Sequence, residues 1–111
     1  MTNLELMLRE RERRVAETDL GEKVRAVLST EFVFTRKRTH ALKLFDLATA
    51  CSAKVGLPPL NRNLLKTTRA IALQLGARVV NNRNRKIANG VKRADATDEQ
   101  AAEYTKYLRR S

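Results

Sequence analysis

Apolar residues recur along most of this chain at spacings of three and four, as on one side of a packed helix, and give way to short β-branched runs in two places. Thr2-Asn3-Leu4-Glu5 is a capping-box pattern, in which the Thr hydroxyl and the Glu carboxylate satisfy free amides of a first turn. It predicts a helix whose apolar stripe is Leu4, Leu8 and Val15, interrupted by Arg11, with Glu10 and Arg14 paired on the wet side. Asp19 followed by Glu22 repeats the cap signal, and Leu20, Val24, Val27 and Leu28 mark one face of a second helix. Gly21 either breaks that junction or only weakens it.

Glu31-Phe32-Val33-Phe34-Thr35 is aromatic and β-branched and suits a brief strand at least as well as a helix end. The basic cluster Arg36-Lys37-Arg38 follows. With Thr39 as cap, residues 40–55 read as the central core helix, because Leu42, Leu44, Phe45, Leu47, Ala48, Cys51 and Val55 make a wide apolar face. Gly56 ends it and Pro58-Pro59 keep it from resuming.

Asn61 caps the next helix, roughly 62–75, whose faces divide by chemistry. Leu64, Leu65, Thr68, Ile71, Ala72 and Leu75 face inward, and Arg62, Asn63, Lys66, Thr67, Arg69 and Gln74 populate the rest. Gly76 stops it. The segments around Val79-Val80 and Ile87 flank Asn81-Asn82-Arg83-Asn84, which predicts a hairpin with an Arg- and Asn-loaded tip. A last helix, about 98–109, is capped by Thr97 with Gln100 in the capping-box position, and Ala101, Tyr104 and Leu108 line one side. The fold class expected is mainly α with a small β-hairpin.

A chain of 111 residues supports one apolar core, so 1–111 reads as a single domain. Within it, 1–30 is an N-terminal helical extension, 31–93 the core and 94–111 the C-terminal helix. No apolar run approaches the ~20 residues of a membrane span, and the N-terminus is too acidic and too broken by Arg for a secretory signal. The setting expected is cytoplasmic, in a bacterial or phage-infected cell, or nuclear. Cys51 has no second cysteine to pair with, and with only His40 beside it a Cys/His zinc site is excluded. Its neighbours Leu47, Ala48 and Val55 suggest a buried, inert thiol, while His40, just after the expected cap, reads as solvated or phosphate-facing.

Charge changes the picture. The net charge is +11, and it is concentrated: residues 61–93 hold nine basic and no acidic side chains, whereas the first twenty and last eighteen residues are each −1. A solvated face normally mixes both signs, so this segment points to a polyanionic partner.

In order, residues 32–93 give strand, core helix, Pro-containing turn, polar-faced helix and basic hairpin, the order of a winged helix-turn-helix, here flanked by terminal helices. In that arrangement the second helix enters the major groove and the hairpin lies along the backbone or in the minor groove. The DNA-binding candidates are therefore Arg62, Asn63, Lys66, Thr67 and Arg69 on the helix, Arg83, Arg85 and Lys86 at the wing, and Arg78 and Lys92 along its strands. The stretch LFDLATACSAKVGLPPLNRNLLKTTRAIALQLGARVVNNRNRKIANGVKR resembles the winged-helix domain at the C-terminus of phage, plasmid and large-DNA-virus primase-helicases. That resemblance implies DNA binding near a replication fork or origin and no catalytic residues in this chain.

The residues agree with a non-enzyme: there is no Gly-rich Lys-Ser/Thr phosphate loop, no Ser/His/Asp set and no acid pair in the basic segment to hold magnesium. No cofactor, metal or small-molecule substrate is expected. Two other partner classes stay open, a protein bound through the terminal helices by a small phage-type inhibitor or adaptor, and RNA. None of the five Phe and Tyr residues lies in the basic segment, which argues against single-strand recognition by base stacking.

Overall fold

The computed structural model describes residues 2–16 and 18–110, and the side chains of 11–16, including the expected positions Arg11, Arg14 and Val15, lie outside that description. The described chain is mainly helical, with helices α1 (Asn3–Ala16), α2 (Asp19–Glu31), α3 (Leu44–Val55), α4 (Arg62–Gln74) and α5 (Asp98–Arg110). Between them run β1 (Phe32–Val33), β2 (Ala41–Lys43), β3 (Arg78–Asn82), β4 (Arg85–Asn89) and β5 (Lys92–Arg93). β1 pairs with β5, and β2, β4 and β3 form a second antiparallel sheet in that spatial order. Among the described residues no helix is long and apolar enough to cross a membrane.

Local chemistry sets most boundaries. The Thr2 hydroxyl accepts from the Glu5 amide at 3.2 Å while Glu5 accepts from the Thr2 amide, the reciprocal cap expected of α1. At α2 the cap is Thr18, one residue earlier than Asp19, and its hydroxyl accepts from the Gly21 amide at 3.0 Å. Gly21 therefore sits inside the first turn without breaking it. Asn61 caps α4 by accepting from the Leu64 amide at 3.1 Å.

The core is shared by α2, α3, α4 and the larger sheet. Val24 and Leu28 meet Leu47 and Cys51, Leu64, Ile71 and Ala72 close the far side, and Ala88 and Val91 come from β4 and the residue pair after it, all fully buried. Each large apolar side chain so buried contributes about 1.5–3 kcal/mol. Cys51 is an inert member of this core, and burial pushes its thiol up to about 11.

Two expectations fail at the start of the central helix. Residues 41–43 are strand, not helix, because pairing Ala41 with Asn89, Leu42 with Ala88 and Lys43 with Ile87 buries Ala41 and Leu42 in a sheet. Thr39 consequently caps nothing, and α3 begins after Lys43, whose amide donates to Asp46 Oδ2 at 3.2 Å. His40 is not solvated: it is 1% exposed, its carbonyl accepts from the Gly90 amide at 2.6 Å, and its Nδ1 shares a 2.7 Å hydrogen bond with Thr35 Oγ1. Strand pairing, a long-range interaction, has overridden the local helical period.

The 34–40 loop lies against Gly90. Arg36 adopts a φ of +61° and its amide donates to the Gly90 carbonyl at 2.9 Å, while Gly90 itself has a φ of +85°. A Cβ at Gly90 would stand 2.8 Å from Arg36 Cα, so only glycine fits.

α5 packs against β2. Ala101, Thr105 and Leu108 are buried, the Thr105 hydroxyl accepts from the Ala41 amide at 2.8 Å, and Arg109 Nη2 donates to the Arg38 carbonyl at 2.6 Å. The Tyr104 hydroxyl donates to Asp46 Oδ2 at 2.9 Å, and burial, then that carboxylate, raise its pKa to about 12.

Gly90→Ala should destabilise the fold by about 1–3 kcal/mol, the cost of a strained φ with a backbone clash, read from the shift in urea midpoint. A second expectation concerns pH. Cys51 and Tyr104 both keep, when folded, a proton that the unfolded chain releases above its ordinary pKa of 9.0 or 10.0. Stability should therefore be full below pH 9 and fall as pH rises toward 11 and 12. Urea midpoints across that range should drop, and Tyr104→Phe should make the decline shallower; a flat profile would contradict the burial of both groups.

Candidate nucleic-acid interface

α4 presents Arg62, Lys66 and Arg69 at i, i+4 and i+7, so the three cations rise along one side while Leu64, Thr68 and Ile71 hold the other side in the core. No acid lies on this helix to balance them. The hairpin that follows closes through Arg83 and Asn84, with φ of +51° and +64°, two successive left-handed residues of the kind a two-residue turn requires. Asn tolerates that conformation because its short amide bonds locally.

Between α4 and the hairpin lies an open groove of about 720 Å³. Its basic lining is Lys43, Arg62, Lys66, Arg69, Arg85 and Lys86, with Asn81 and Asn84 as neutral amides and, among the described residues, no carboxylate. Like charges held this close repel one another, and a bound anion relieves that repulsion. Among the described residues no three His, Cys, Asp or Glu side chains converge in a metal-binding group.

The structure gathers five of the ten residues expected from sequence, Arg62, Lys66, Arg69, Arg85 and Lys86, into this one groove. Asn63 is exposed at the first turn of α4, beside the groove lining. Arg83 at the hairpin tip and Arg78 at the start of β3 are exposed outside it. Thr67 does not face outward: it is 5% exposed, on the side of α4 that packs inward. Lys92 is not on the hairpin, since β4 ends at Asn89; it lies in β5, where its Nζ donates to Asp98 Oδ1 at 3.0 Å and to the Ala96 carbonyl at 2.9 Å. The hydrogen bond from Lys92, and then its charge and that of Lys37, hold the Asp98 carboxyl below its usual value. Arg93, too, has a structural task, its guanidinium standing 5.8 Å over the Phe32 ring.

Lys43, Phe45 and Leu60 belong to the groove and were not among the expected residues. Lys43 and Phe45 were hidden by the continuous helical period of 40–55. The available signal was Asp46, a carboxylate placed three residues after Lys43, as a helix-start pattern has it. No family model, curated protein or solved structure matches the chain.

Proposed function

We propose that this chain is a duplex-DNA-binding module of the winged helix-turn-helix kind, with α4 as the helix that enters the major groove and the β3–β4 hairpin as the wing. The observation that carries the reading is the acid-free groove between those two elements, lined by six cations. The chain order supports it: α2, β2, α3, α4, then the hairpin, with β2 paired to β4 beside β3. A helix is about 10–12 Å across and the major groove of B-DNA about 12 Å wide, whereas A-form RNA buries its major groove too deeply for such contact. Lys66 and Arg69 serve phosphates in this reading, and Asn63 has the donor and acceptor that match an adenine edge. A place in phage or plasmid replication or regulation rests on the family resemblance alone.

A second reading, a small adaptor that binds a protein, is favoured by one observation. Leu4, Leu6, Met7 and Leu8 of α1 are 47–66% exposed within five residues.

Titration against duplex DNA, single-stranded DNA and duplex RNA at several salt concentrations tests the proposal. Duplex DNA should bind tightest, with an affinity that falls steeply as salt rises; a salt-independent affinity would remove the electrostatic basis of the reading. Lys66→Ala should weaken all duplexes alike and lower the salt slope by about one unit, whereas Asn63→Ala should cut discrimination between a selected and a scrambled site by about 1–3 kcal/mol. If both variants lose equally on both sites, α4 grips the backbone without reading sequence. The triple change Arg83→Ala, Arg85→Ala and Lys86→Ala should preserve the circular dichroism spectrum and weaken DNA binding in a gel shift. Unchanged binding would dismiss the hairpin as a wing.

A further inference from the structure

Phe45 stands apart from its neighbours on α3. Leu44, Leu47, Ala48 and Cys51 are buried, whereas Phe45 is 44% exposed and lines the basic groove. Leu60, from the turn between α3 and α4, and Val80, from β3, are 72% and 45% exposed on the same groove. Three elements thus place apolar side chains in water at the site where the cations gather. Apolar surface left in water forgoes the stabilisation of burial, and phosphates give nothing back for it.

A fully paired duplex offers this groove phosphates, sugars and mostly polar base edges, because base faces are stacked on one another. An unpaired base differs in offering a flat π-face within one nucleotide of its own phosphate. Aromatic side chains beside cations are the recurrent receptor for that combination. The groove's volume of about 720 Å³ falls in the ~300–1,000 Å³ range of sites that enclose small ligands.

We propose that the groove receives an unpaired base on the Phe45 ring, flanked by Leu60 and Val80, while Lys43, Arg62 and Lys66 hold the adjoining phosphates. The preferred ligand is then duplex DNA that carries an unpaired nucleotide. This inference rests on the DNA-binding reading and narrows its ligand.

The test uses the full chain and three duplex probes: one fully paired, one identical but for a single extrahelical 2-aminopurine, and one fully paired with deoxyuridine replacing thymidine. The aminopurine probe should bind roughly 5- to 150-fold more tightly than the paired one, the range of one base–aromatic stack, and its fluorescence should be quenched on binding. Phe45→Ala and Phe45→Leu should abolish both the preference and the quenching, and Phe45→Trp should retain them. Thermal melting reports folding, and if Phe45→Ala is unfolded, the wild-type preference and Phe45→Leu decide. Equal affinity of the wild-type protein for paired and aminopurine probes overturns the inference and leaves the DNA reading standing. So does a Phe45→Leu loss on the paired thymidine duplex that vanishes with deoxyuridine, since Phe45 would then be touching thymine methyls. Binding to none of the probes overturns both.

Discussion

The pairing of β2 with β4 is the interaction on which the rest depends. β4 lies after α4 in the chain and β2 before α3, so this ladder fastens the hairpin to the start of α3 and fixes where it stands relative to α4. Without it, the cations of α4 and those of the hairpin would belong to separate segments. The ladder is secured from both sides: Thr105 takes up the Ala41 amide, and the Gly90 amide is bonded to the His40 carbonyl just beyond the last pair. A short strand of three residues holds because neighbouring elements satisfy the groups its pairing leaves over.

Much of this was legible in the sequence because its signals are local. Caps at Thr2, Asn61 and Thr97, the stop at Gly56 and the Asn-rich turn all act within a few residues, and the helices and hairpin follow from them. The acid-free run of residues 61–93 likewise announced a basic surface, and five of its expected residues meet in one groove. What sequence could not reveal was set across the chain. The burial of His40 depends on Thr35 and Gly90, the strand at 41–43 on a partner more than forty residues away, and the diversion of Lys92 on Asp98. Thr67 was misplaced by a smaller error, since the inward arc of α4 is wider than its apolar residues alone suggest.

The basic segment therefore divides its labour. Lys92 ties β5 to the start of α5 through the Asp98 carboxylate, and Arg93 lies over the ring of Phe32, its partner across the β1–β5 pair, while the groove cations have no acid among them in the described residues. Net charge alone overstates the binding surface for this reason. The concentration of like charge in the groove lowers the stability of the free chain, and any anion that binds only the folded state raises it by mass action.

The position of α5 carries a consequence for the open border of the sheet. β2 is an outer strand of the three-stranded sheet, and an outer strand with free amides invites another chain to add itself. Thr105 already occupies the Ala41 amide, and Arg109 clasps the Arg38 carbonyl just upstream, so the last helix works as a fender along that border. Along the opposite border, β3, the guard is charge: its ends carry Arg78 and the Arg83 turn, and a second copy approaching it would meet a surface as positive as itself.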